Sequence, residues 1–290
     1  MPQPQDRRDF LRTTLGSLGF WTLAGCGAGA STSSANNATT ESIPMFRVPP
    51  SVLAGIVAHP ERFLSAYGAL GGETRASAYV RSQLGAQFTS LTDAGCMATY
   101  ASVIAFNVAP LGPTTLDPMN STLQQLLTAQ AMTCGHYCKL TTLLALLGDP
   151  QLTLHDPTTQ SPTRASLHFL VWLDTVPLNT GFHAQLIISN VLSGAYLLLD
   201  PTYAFALRIP YVGAGPQAGL TVIENAATMM QTPISQQNLA LLDPRGTTAV
   251  PQMLQTLISG APGPQYIYHD TLYGSEGWDA RIEQIIDNMG

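Results

Sequence analysis

Thr133-Cys134-Gly135-His136-Tyr137-Cys138-Lys139-Leu140, running on as TTLLALLG to Gly148, is the stretch on which the reading of this chain turns. Its leucine-rich body, with Gly148-Asp149-Pro150 as a stop, predicts a helix from Cys134 to about Leu147. A cysteine that opens a helix has its thiol beside unpaired backbone N–H groups and the positive end of the helix dipole. That setting favours a thiolate, the nucleophilic form. A nucleophile also needs a base, and the base needs a group to orient it.

Working outward, the character of the chain differs on the two sides of this helix. From Pro49 to Val108 apolar residues recur at helix spacing: Val52, Ile56 and Val57, then Tyr79, Val80 and Leu84, then Tyr100, Val103, Ile104 and Phe106. A loop Leu111–Pro118 precedes a short helix Thr122–Gln130, for which Asn120 or Ser121 is the expected cap. Past Pro162, Leu167–Leu173, Phe182–Ile188 and Ala195–Leu199 are short, β-rich and bounded by turn residues, with further strands expected at Arg208–Val212 and Gln265–His269. Short helices are expected at Gln237–Leu242, Val250–Ile258 and Trp278–Asp287. Helices first and an antiparallel sheet afterwards argue for an α+β domain.

Two further motifs lie on the expected strands: Gly181-Phe182-His183-Ala184-Gln185-Leu186, and Leu198-Leu199-Asp200-Pro201-Thr202-Tyr203. Strands joined around Asn190 to Gly194 would be adjacent and antiparallel, bringing His183 near Asp200 if an irregular loop or bulge sets the register. Together with the cysteine helix, this set resembles the transglutaminase-like superfamily of papain-like cysteine enzymes. Tyr137 fills the aromatic place of its Cys-x-x-aromatic-small motif and Cys138 the small one. The likeness spans roughly residues 130–204, and the helix body is about one residue shorter than usual. It implies a core in which a helix opening with the nucleophilic Cys134 packs on a sheet carrying His183 and Asp200, with no cofactor. The Cys134 backbone N–H and a second donor, with Gln130 as candidate, would form an oxyanion hole.

Rival readings exist for each residue. Cys134 could be a structural cysteine, His183 a satisfied core histidine and Asp200 a turn former before proline. Cys138 competes for the nucleophile's place but lies one turn further into the helix. A Cys134–His136–Cys138 metal set fails on geometry, since position i+2 of a helix points about 200° from position i. A Cys134–Cys138–His183 zinc site is geometrically open but lacks a Cys-x-x-Cys knuckle, so no metal is expected. His136 is expected to be solvated or a pocket wall. His59, His155, His168 and His269 lack partner motifs and are read as structural or solvated.

The amino terminus reads as an address. Arg7 and Arg8, followed by Asp9-Phe10-Leu11-Arg12, resemble a twin-arginine export signal. The uncharged run Thr13–Ala24 is shorter than the roughly 20 apolar residues of a membrane span. Leu23-Ala24-Gly25-Cys26 resembles a lipobox, which implies that residues 1–25 are removed and that Cys26 is acylated. Polar residues 26–45 then read as a flexible tether. Residues 46–290 are expected to form one domain, with a helical part at 46–130, a core at 131–212 and an extension at 213–290. The net charge of −6, with no basic run, argues against a nucleic-acid partner.

These readings converge on an exported, membrane-anchored lipoprotein facing the periplasm or cell exterior. Its expected activity is cysteine-dependent acyl transfer from amide or peptide bonds of a protein or peptide substrate, the cell envelope being one source. Hydrolysis and transamidation are both open. The alternative is a non-catalytic envelope lipoprotein that uses the same fold for binding or scaffolding.

Overall fold

In a computed structural model, the structure describes residues 48–68, 73–118, 121–149, 153–154, 166–173, 182–210, 238–243, 245–246 and 266–268. The amino-terminal address, with Arg7, Arg8 and Cys26, lies outside the described residues, as do the expected helices Val250–Ile258 and Trp278–Asp287. Among the described residues no helix is long and apolar enough to cross a membrane.

The helical half contains α1 (Pro50–Ala58), α2 (Phe63–Gly68), α3 (Glu73–Leu84), α4 (Asp93–Val108), α5 (Leu123–Leu127) and α6 (Cys134–Gly148). The sheet is built from β1 (Thr153–Leu154), β2 (Ser166–Leu173), β3 (Phe182–Leu192), β4 (Ala195–Asp200), β5 (Phe205–Pro210), β6 (Leu239–Leu241) and β7 (Tyr266–Tyr268). Strand order is β1-β2-β3-β4-β5-β6, with β7 also paired to β2. Every pairing is antiparallel except the parallel β1–β2 pair. The architecture is α+β.

Helices α4 and α6 pack on each other and on β3. Both are apolar nearly all round, as a helix with neighbours on several sides must be. In α6 every residue but Leu147 is buried. Strand β4 is buried at all six positions, which explains why Ala195–Asp200 reads as a run instead of an alternation. Burial of this depth makes the core sensitive: Leu144→Ala, at a fully buried position, should cost roughly 2–5 kcal/mol.

Three expectations need correction. The cap of α5 is Thr122, not Asn120 or Ser121. Its hydroxyl accepts from Gln125 N (3.2 Å) while Gln125 Oε1 accepts from Thr122 N (2.8 Å), and the Ser121 hydroxyl is spent on the Asp117 carbonyl. The strand expected at Arg208–Val212 begins at Phe205, because Ala204 takes a left-handed φ of 52° and turns the chain back at once. The helix expected at Gln237–Leu242 is instead strand β6. Short apolar runs do not distinguish the two, and the open edge of β5 decides, pairing Phe205 with Leu241 and Leu207 with Leu239.

The register of β3 on β4 positions the site. Leu192 pairs with Ala195 across the Ser193-Gly194 turn, where Gly194 has φ 65°. Uninterrupted pairing from there would set Asp200 opposite Ile187. The register shifts between Ile188 and Leu192, however, and Leu186 pairs with Leu199, which sets Asp200 opposite Gln185. The slip is even, so Asp200 keeps the sheet face of His183. It also carries Asp200 roughly 7 Å, two residues of rise, toward His183. Asn190, with φ 56°, lies in the irregular segment, and Val191 O accepts from Thr92 N (2.8 Å) at the start of α4. Gly95 permits this approach, since a Cβ there would fall 2.9 Å from Val191 Cβ and closer still to Leu91.

Candidate active site

Cys134 is the first residue of α6. His183 is the second residue of β3 and Asp200 the last of β4. The structure brings all three together. His183 Nε2 lies 2.7 Å from Asp200 Oδ2, and the Cys134 thiol is a hydrogen-bond neighbour of the same ring. With Nε2 on Asp200, Nδ1 is the nitrogen left for Cys134. Exposure grades along the row, from 8% at Cys134 through 3% at His183 to 0% at Asp200. Cys134 is therefore the least deeply buried of the three.

Asp200 is held from four sides. Oδ1 accepts from Thr202 N and Tyr203 N, both at 3.0 Å. Oδ2 accepts from Gln185 Nε2 at 2.8 Å as well as from His183. A carboxylate offers about four acceptor sites, so this one is fully engaged. The Tyr203 ring lies 5.3 Å from that of His183, tilted by 51°. Burial alone would lower the basicity of His183. The Asp200 charge and hydrogen bond, followed by Cys134, outweigh it and raise the imidazole pKa to about 10.

His136 is neither solvated nor a pocket wall. It is buried, and its ring ties the start of α6 to the preceding loop. Nδ1 accepts from Thr133 N (3.3 Å) and lies 2.7 Å from the Thr133 hydroxyl, while Nε2–H donates to the Leu116 carbonyl (3.1 Å). A histidine thus fills the capping-box place that Glu or Gln usually takes. Burial lowers its pKa to about 4, with a smaller contribution from Lys139, against the raising effect of the Leu116 carbonyl.

The remaining thiols are shut away. Cys96, Cys134 and Cys138 are all free of disulfides. Burial pushes the Cys138 thiol well up, with Cys134 and Asp200 adding to it, and pushes Cys96 up to about 12. Cys96 Sγ donates to Ser77 O at 3.6 Å. Gln130 lies exposed in the bend four residues before Cys134. Among the described residues no group of three or more His, Cys, Asp or Glu side chains is placed to hold a metal ion. His59 is exposed and contacts Glu61 (3.2 Å), His168 sits in β2, and His155 and His269 lie outside the described residues.

No protein family, curated protein or solved structure matches this chain. The chemistry of the assembled groups is what can be read. Gln185 and Tyr203 are site residues that motif reasoning passed over. For Gln185 the signal was present: it is two residues from His183, hence on the same strand face, and is polar in an otherwise apolar run.

Proposed function

We propose that the chain is a cysteine-dependent acyl-transfer enzyme of transglutaminase-like type, acting on amide or peptide bonds. The observation that supports this reading is the row Cys134, His183, Asp200, with Cys134 the least buried of the three and a 2.7 Å imidazole–carboxylate contact. Nδ1 of His183 holds the proton that Cys134 Sγ gives up, and the sulfur attacks the substrate carbonyl carbon. As the C–N bond breaks, the Nδ1–H proton passes to the departing amine, leaving a thioester on Cys134. Water or a second amine then attacks the thioester, giving its proton to His183, and the sulfur leaves. Asp200 fixes the tautomer through its hydrogen bond to Nε2 and stabilises the imidazolium. The first backbone N–H of α6 supplies one donor for the oxyanion, and Gln130 is the candidate for the other.

The proposal includes export and anchoring by an acylated Cys26, as the twin-arginine-like and lipobox-like residues suggest. Several acyl chains at roughly 0.8 kcal/mol per buried CH₂ would suffice to hold the protein on a membrane.

Competitive alkylation tests the site without knowledge of the substrate. Iodoacetamide at neutral pH, with peptide mass analysis, should modify Cys134 well before Cys96 or Cys138, and His183→Ala should remove that preference. Uniformly slow alkylation of all three thiols in the folded wild type would end the catalytic reading. A panel of peptides and amines would then separate hydrolysis from transamidation.

A further inference from the structure

Gln185 is wholly buried in β3, between Ala184 and the apolar run Leu186–Ile188, and its Nε2 donates to Asp200 Oδ2 at 2.8 Å. That is the same oxygen that holds His183 Nε2 at 2.7 Å. The coincidence follows from the even register slip, which places Asp200 across from Gln185 with His183 diagonal to it on the same face. The other carboxylate oxygen is already fixed by two backbone N–H groups, so Gln185 is not needed to stop Asp200 from turning. What it adds is a second donor on the charge that faces the imidazole.

We propose that Gln185 is a positioning residue for the acyl transfer, moderating through Asp200 the grip of the carboxylate on the His183 imidazolium. The inference rests on the catalytic reading above. In that reaction His183 must first take a proton and then give it up to a departing amine. A carboxylate in a dry site that bonded the ring alone would hold the imidazolium too firmly to release it. A donor that shares Oδ2 spreads the negative charge and weakens that hold, while its own amide neither gains nor loses a proton. The groups facing His183 are Asp200 from β4, Cys134 from α6 and Tyr203 from the turn after β4, with Cys138 close to Asp200 and Cys134. Gln185 adds a donor to this cluster and no charge of its own.

The test is the titration of His183 in the full chain in detergent, followed by ¹⁵N-histidine NMR. Gln185→Met keeps the length of the side chain and removes the amide. The His183 midpoint should rise by about one pH unit, the size expected when one hydrogen bond to a charged acceptor is lost. A purely structural role would lower the melting temperature and leave the midpoint where it was, and that result overturns the proposal. Should Gln185→Met fail to fold, the wild type supplies the measurement: the Gln185 side-chain amide resonance should move with the same midpoint as the His183 ring. An amide signal that ignores that titration overturns the proposal equally. Alkylation of Cys134 in the same samples separates the two levels. A coupled Gln185 beside a sluggish thiol removes the catalytic reading and keeps the coupling, whereas a reactive thiol beside an uncoupled Gln185 does the reverse.

Discussion

His136 and His183 sit in two different settings, one in the loop-facing first turn of α6 two residues after Cys134 and the other in the sheet. Both are buried, and burial disfavours the charged ring in each. Their partners send them in opposite directions. His136 meets a backbone N–H, a hydroxyl and a carbonyl, and is held neutral with a pKa near 4; His183 meets a carboxylate and a thiol, and is raised to about 10. Burial sets how strongly neighbours are felt, and the neighbours set the sign. The loop side ties backbone to backbone through a neutral ring, and the sheet side pairs a ring with a carboxylate.

The largest effect should fall on Cys134. Cys134→Ala should abolish amide-directed turnover, a loss on the order of 10³-fold or more as for the removal of other triad nucleophiles. Cys138→Ala, one turn deeper and fully buried, should fold and keep most activity. If Cys138→Ala is inactive and Cys134→Ala active, the sheet-side histidine has been assigned to the wrong sulfur.

Next in size is the imidazole itself. His183→Ala should slow the alkylation of Cys134 at neutral pH by about tenfold or more, since an adjacent opposite charge is worth one to three pH units. Asp200→Asn should slow it less, because the ring remains. His136→Ala should leave alkylation nearer to wild type than either and lower the melting temperature instead. Equal slowing in all three variants would erase the contrast between the two sides.

The pH dependence of stability gives opposite windows. His136 has a depressed pKa, so its contribution is complete above about pH 6.5 and is lost as pH falls through about 4. His183 has a raised pKa, so its contribution is complete below about pH 6.5 and is lost as pH rises through about 10. Urea melts across pH should show that His136→Gln flattens the acid limb by on the order of 2–3 kcal/mol and leaves the alkaline limb alone. His183→Gln should flatten the alkaline limb only. Swapped limbs would refute the assignment of the two environments.

The smallest effect concerns the turn beneath Asp200. Ala204 has φ 52°, where a Cβ costs roughly 1–2 kcal/mol. Ala204→Gly relieves that cost, but it loosens the unfolded chain and gives up a buried methyl. A net stabilisation of less than about 1 kcal/mol is expected, seen as a small rise in melting temperature.

The parts of this site that were legible from sequence are those whose chemistry is local. Cys134 announced itself by opening a leucine-rich helix, and His183 and Asp200 by their places on β-rich runs. Helix α6 and strands β2, β3 and β4 were placed within a few residues for the same reason: each is an apolar run bounded in sequence by turn-forming residue types. The roles of Gln185 and His136 depend on partners elsewhere in the chain. His136 is caught by Leu116 O, twenty residues upstream, and Gln185 by a register slip inside β3 that no residue type advertises. Strand β6 was misread because its state depends on a neighbour more than thirty residues earlier, β5.

The turn that carries Asp200 has a further consequence. Leu242 N donates to Ala204 O (2.7 Å), and Gly246 sits so close to that carbonyl that a Cβ would fall 2.6 Å from it. Asp243, joined to Arg245 Nε (2.8 Å) and to Asn107 Nδ2 (3.4 Å), pins the same segment to the end of α4. During synthesis a ribosome that has delivered Asp200 has therefore supplied Cys134, His183 and Asp200 but not the clasp that holds the carboxylate turn. Some forty more residues must emerge before Leu242 and Gly246 can close on it. A nascent chain thus carries Cys134, His183 and Asp200 through some forty residues of further elongation with the turn that orders Asp200 still open.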